Sequence, residues 1–154
     1  MKKIFLLLLS TIILLLAQDK TAQVVYDLTT KEMETFERKI LKAIVANKAH
    51  YEASLTELDV VVVIHGDAYK FFTKNPSNSI YKEDKALVKS YKSLAKRIKS
   101  MVENYDVEFL MCKAGMSKRE LKTTDIYKFV TIIPNSTIGL IDKQNEGYAY
   151  VPVR

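Results

Sequence analysis

The sequence has few of the residues that most often build a functional site. There is one cysteine, there are two histidines, and only four glycines occur in 154 residues. A single cysteine excludes an internal disulfide scaffold. Two histidines and one cysteine are too few for a zinc site of the usual Cys/His kind. Gly66, Gly115, Gly139 and Gly147 are scattered, so the chain has no phosphate loop and no dinucleotide fingerprint. No Ser-His-Asp set follows from spacing, and no cofactor is called for. Neither sign of charge dominates. The formal net charge is +6, from 24 basic and 18 acidic residues spread along the chain, which gives no reason to expect a nucleic-acid partner.

A long membrane-spanning run is also missing. Ile4 to Leu16 is apolar apart from Ser10 and Thr11, but it falls short of the roughly 20 residues that a spanning helix needs. With Lys2 and Lys3 before it, the run reads as a secretory signal peptide within residues 1–22, cut after Ala17 or Ala22. An uncleaved N-terminal anchor is the other reading. No cysteine follows the run to carry a lipid. The expected product is one periplasmic or secreted domain, residues 23–154. Loss of Lys2 and Lys3 leaves 22 basic against 18 acidic residues, a net charge of +4. An unpaired thiol exported to an oxidising compartment is unusual and draws attention to Cys112.

Apolar runs and helical patterns then alternate. Gln23–Leu28 predicts a short buried strand, and Thr29 with Glu32 has capping-box spacing for a helix. That helix carries Met33, Phe36, Ile40, Leu41 and Ile44 on one face and fades near Ala53. Leu58–His65 predicts a strand buried on both faces, stopped by Gly66. Asp67–Phe72 predicts one or two helical turns, and Lys74–Ser79 a loop. A long helix from about Tyr81 to Asn104 places Leu87, Tyr91, Leu94, Ile98 and Met101 on one side. Lys85, Lys89, Lys92, Lys96 and Lys99 lie on the other. That basic face reads as solvated, or as a surface for an acidic partner or lipid. Val107–Met111 predicts a third strand ending at Cys112, followed by a loop entering a helix over Lys113–Leu121. Phe129–Ile133 predicts a fourth strand, Thr137–Gln144 a short helix and Tyr148–Val153 a last strand. The pattern implies a single α/β domain with a mainly parallel, five-stranded, helix-covered sheet.

Functional groups gather at the carboxyl ends of strands in such sheets, and Cys112 is expected there. A following helix start, with Lys113, Lys118 and Arg119 nearby, would favour its thiolate. The alternative is a buried structural cysteine. His65 ends the second strand and would lie about 5 Å from Cys112 if those strands are neighbours. There it could pair with the thiolate, or simply bond the backbone. Met111, Cys112 and Met116 are close in sequence, and thioether with thiolate suits Cu(I). Met111 is expected to point into the core, which leaves Cys112, Met116 and His65 as the alternative soft-metal set. Asn135-Ser136-Thr137 matches a glycosylation sequon.

Three stretches carry a family resemblance. VVVVIHGDAYKFF (Val60–Phe72), VEFLMCKAGM (Val107–Met116) and VTIIPNSTIGLIDKQNEGYAYVPV (Val130–Val153) resemble DsrE-like proteins. The resemblance covers most of the mature chain, and the last two stretches are the more specific. It implies a three-layer α/β/α fold with sheet order 4-3-2-1-5, which puts His65 beside Cys112. It implies a homo-oligomer, a trimer or hexamer, with the cysteine near a subunit interface. It also implies a sulfur carrier or sulfurtransferase with a persulfide on Cys112. Sulfur donor and acceptor thiols would be its partners, with His65 and Lys113 assisting. A Cu(I) or thiol-reactive ligand-binding module and a non-catalytic interaction subunit are the alternatives.

Overall fold

The computed structural model describes residues 21–154. The apolar run Ile4–Leu16 and Ala17 lie outside the described residues. Ala22 is the second residue of the first strand. Among the described residues no helix is long and apolar enough to cross a membrane.

Five strands, β1 (Thr21–Leu28), β2 (Glu57–Ile64), β3 (Val107–Cys112), β4 (Thr131–Ile133) and β5 (Ala149–Val153), form one sheet in the order β4-β3-β2-β1-β5. Every pairing is parallel. Val60–Ile64 of β2 is an unbroken apolar run because both faces of this central strand are covered.

Helix α1 has α-helical turns at Met33–Phe36 and Ala43–Glu52 around a π-helical stretch, Glu37–Lys42. The anticipated capping box is absent. The Thr29 hydroxyl donates to the carbonyl of Val153, and the Glu32 amide donates instead to the hydroxyl of Thr30. Tertiary pairing with β5 therefore takes the side chain that local sequence assigned to the helix start. Helix α2 (Lys85–Tyr105) begins four residues later than its periodicity predicts. The cause is Asp84, whose carboxylate accepts the Leu87 amide at 3.0 Å and the Lys70 ammonium at 2.8 Å.

Both helices cover one sheet face. Phe36, Ile40 and Ile44 of α1 and Leu87, Leu94 and Ile98 of α2 pack with Val62, Ile64, Phe109 and Met111. Phe36 stacks on Phe71 at 4.4 Å. The five lysines of α2 are exposed, with Lys85 paired to Glu83 and Lys99 to Glu103. Helix α3 (Ser136–Asn145) covers the other face, over Val25, Val61, Val63 and Leu110. The fold is thus a three-layer α/β/α domain. The chain after β3 stays on the α1/α2 side, where Met116, Leu121, Ile126 and Val130 join that core. The chain after β4 crosses to the α3 side. Ligand sites of open parallel sheets occupy the divergence of two such connections, here between the carboxyl ends of β3 and β4.

Candidate functional site

Cys112 is the last residue of β3, opposite Ile133 of β4, at that divergence. Its exposure is only 6%. No α-helix follows it. Two short 3-10 turns, Lys113–Gly115 and Ser117–Arg119, replace the expected one. The amide of Ala114 is held by the carbonyl of Pro134 at 3.2 Å, which ties the loop to the end of β4 before a helix can start.

One amide that favours the sulfur's ionised form comes from the first of these turns, and another from farther along the chain. Burial pushes the Cys112 thiol up. The Tyr69 hydroxyl, the amides of Gly115 and Ser136 and the Ser136 hydroxyl more than offset this, leaving the thiol below its usual value. Ser136 is the first residue of α3. Its amide has no partner within the helix, and the helix dipole points its positive end at the sulfur. The thiolate is therefore favoured by a helix start, but by the one after β4.

Tyr69 is fully buried and donates its proton to the carbonyl of Cys112 at 2.6 Å. The same hydroxyl also favours the ionised sulfur. Arg119 lies 4.8 Å from the centre of the Tyr69 ring. It also reaches the Gly115 carbonyl at 3.4 Å and Asp67 at 3.3 Å. Arg119 thereby braces the ring that braces the cysteine. Lys113 and Lys118 are exposed.

His65 follows β2 directly. The register Ile64↔Met111 continues to place it level with Cys112 on the adjacent strand. Its Nε2, however, is engaged by β1 rather than by β3. His65 Nε2 lies 2.5 Å from Asp27 Oδ1, and the second oxygen of Asp27 accepts the Tyr150 hydroxyl at 2.6 Å. Of the soft-metal set, Met116 is 3% exposed and belongs to the α1/α2 core, while His65 is held by Asp27. Met111 is fully buried on the same side, as expected. Asn135 of the sequon serves the helix that follows it, because its side chain caps α3 by accepting the Ile138 amide at 2.9 Å.

A cavity of about 660 Å³ lies at the opposite, amino-terminal end of the sheet, lined by Val45, Leu55, Leu58 and Tyr105 among others. Its lining includes no cysteine. We place the site at Cys112 because the chemistry is there.

The DsrE/DsrF-like family matches residues 23–153, nearly all of the described chain. The chain belongs to the DsrE/DsrF-like family. A relative in Aquifex aeolicus, an uncharacterised protein, is 33% identical over 94 residues. The match spans 56% of this chain and 41% of that protein, so the chain corresponds to less than half of the relative's length. Among solved structures, a protein of unknown function from Methanobacterium thermoautotrophicum, MTH1491, superposes with a TM-score of 0.59 at 17% identity. That match covers 85% of this chain and 98% of the other, and it shows the DsrE-like fold.

Sequence reasoning selected Cys112 and His65 in this DsrE-like chain but missed Tyr69, Ser136, Asp27 and Tyr150. Two signals were present. Asp27 is a charge inside the apolar run of β1, and Asn135-Ser136 after Pro134 is a helix-cap pattern as well as a sequon.

Proposed function

We propose that this protein is an exported sulfur carrier or sulfurtransferase of the DsrE-like kind, working through a persulfide on Cys112. The observation that carries the reading is the placement of Cys112 as the last residue of β3, at the carboxyl edge of the sheet where the chain after β3 and the chain after β4 diverge, in surroundings that lower its thiol through the Tyr69 hydroxyl and the Gly115 and Ser136 amides. A thiolate is the nucleophile that takes up sulfane sulfur. Family membership supports a role related to sulfur relay.

The Cys112 thiolate attacks the outer sulfur of a donor persulfide or polysulfide. The donor's S–S bond breaks, its remaining thiolate leaves with a proton, and Cys112 carries the transferred sulfur as a persulfide. An acceptor thiolate then attacks that outer sulfur and releases the Cys112 thiolate. No external oxidant is consumed. His65 moves or orients the proton, and Lys113 at the rim adds positive charge. The reading of residues 1–22 as a signal peptide supports a periplasmic or secreted location, and the resemblance supports a homo-oligomer of three or six copies. The test is to treat the purified protein with polysulfide and weigh it. A gain of one sulfur mass on the native protein and none on Cys112→Ser is expected. Equal masses for the two proteins would overturn the reading.

The 6% exposure of Cys112 favours a second reading, a non-catalytic interaction subunit with an inert thiol. Slow reaction with a thiol reagent in the folded state, and rapid reaction after unfolding, would support it.

A further inference from the structure

Asp27 is the one charged side chain among the buried residues described. It interrupts the apolar run of β1 and alternates with Val25, which places it on the sheet face that α3 covers. Buried carboxylates are costly, and the neighbouring positions Val25, Val61 and Val63 show that this face is otherwise filled by aliphatic side chains. A charge kept in such surroundings breaks a local rule, and such breaks concentrate at functional sites.

Both carboxylate oxygens of Asp27 face donors. Oδ1 faces His65 Nε2 at 2.5 Å. Oδ2 accepts the Tyr150 hydroxyl at 2.6 Å, and the Arg154 guanidinium stands 3.6 Å from it. An ionised carboxylate only accepts, so the proton of the neutral imidazole must sit on Nε2. Nδ1 is then the nitrogen with the lone pair. The side chain of His65 keeps 28% of its surface exposed, while that of Asp27 keeps 5%. The buried partner therefore orients the more exposed one. The backbone of His65 is level with that of Cys112, continuing the register Ile64↔Met111, and neighbouring strands run about 4.8 Å apart. Asp27, His65 and Cys112 thus stand on three consecutive strands at one edge.

We propose that Asp27 is the positioning residue of the Cys112 site, holding His65 as its Nε2–H tautomer so that Nδ1 takes the cysteine proton and returns it to the departing thiol. Tyr150 on the edge strand β5 fixes the carboxylate in turn. The proposal rests on the sulfur-carrier reading for its chemistry, and on the Asp27–His65 geometry alone for the tautomer. In the loading step, Cys112 S–H gives its proton to Nδ1 and the sulfur forms the new S–S bond. The donor's old S–S bond breaks, and its thiolate takes the proton from Nδ1. The acid and the base are restored, and charge balances at each stage. An aspartate that fixes a histidine tautomer for a nucleophile is an established device in hydrolases. Here the three residues come from adjacent parallel strands.

The experiment has two arms. Nitrogen-15 NMR of the full protein reports which ring nitrogen of neutral His65 bears the proton. The expected result is Nε2–H in the native protein and a shift towards Nδ1–H in Asp27→Asn, whose amide can donate to Nε2. The second arm follows sulfur leaving the Cys112 persulfide for a small thiol. Asp27→Asn is expected to slow transfer at least about tenfold and His65→Gln about a hundredfold or more. Tyr150→Phe, which leaves Asp27 and His65 in place, is expected to slow it less. An Nδ1–H tautomer in the native protein overturns the proposal without any variant having to fold. So does native-rate transfer in His65→Gln, a result that leaves the sulfur-carrier reading intact. If native His65 carries the Nε2 proton but Cys112 takes up no sulfur, the sulfur-carrier reading fails and the positioning of His65 by Asp27 stands.

Discussion

The hydroxyl of Tyr69 occupies the space that a Cβ on Gly115 would need. It has no freedom to withdraw. The ring is fully buried, and its proton is committed to the Cys112 carbonyl at 2.6 Å. Gly115 is thus the residue that lets the loop after Cys112 fold tightly over the tyrosine that serves the cysteine.

Gly115→Ala should therefore lose about 1–3 kcal/mol of stability through overpacking against an immobile ring. Gly139→Ala is the contrast. Its new methyl would crowd the flexible end of Ile133 and touch Val63 at an ordinary contact distance, and alanine in a helix gains up to about 1 kcal/mol over glycine. Urea denaturation of both variants checks the pair. Equal losses would show that the Tyr69 contact is not the cause.

Ser136 offers a substitution that separates the thiolate's donors from the helix. It is the first residue of α3, where proline is favoured because the amide has no helical partner. The preceding Asn135 is extended, at φ −154° and ψ 162°, as a residue before proline must be. Ser136→Pro should keep the fold yet remove both the amide and the hydroxyl from the sulfur. Ser136→Ala removes the hydroxyl alone. The Cys112 thiol should titrate higher in both variants, and further in the proline one. Alkylation rates across a pH series measure this, and unchanged titration in Ser136→Pro would contradict the role of these donors.

Stability should depend on pH through the same sulfur. The folded state lowers the Cys112 thiol, whereas an unfolded cysteine titrates near about 8.5. The folded protein therefore binds the thiolate's proton less tightly. The resulting stability is fully present above the unfolded value and is lost as pH falls through the folded one. Native protein should gain on Cys112→Ser between about pH 6 and about pH 9.5. Unfolding free energies of the two proteins at both pH values test the sign. A difference that is flat or reversed would remove the lowered thiol.

Tyr69→Phe should cost about 1 kcal/mol, because it leaves the buried carbonyl of Cys112 without its donor. It should also raise the thiol titration, because the same hydroxyl serves the sulfur. Calorimetric melting with thiol alkylation on one sample reads both. A stability loss without a change in reactivity would confine Tyr69 to a structural role.

Much of the architecture was legible in the residues. LDVVVVI and VEFLM show little alternation, which marks strands covered on both faces, and the helical spacings of α1 and α2 named most of the buried positions, although Met33 is only half-buried and Tyr91 stays outside the core. Position at a strand end picked out Cys112 and His65. Local sequence could not say which helix start would face the sulfur, because the chain brings Ser136 there only after leaving β3, forming β4 and crossing the sheet. Nor could it pair Asp27 with His65, 38 residues apart, or Tyr150 with Asp27, 123 residues apart. Periodicity and apolar runs are short-range properties and fix strands, helices and their faces. The hydrogen bonds around Cys112 and His65 are between strands and loops distant in sequence, so only strand order and register decided them.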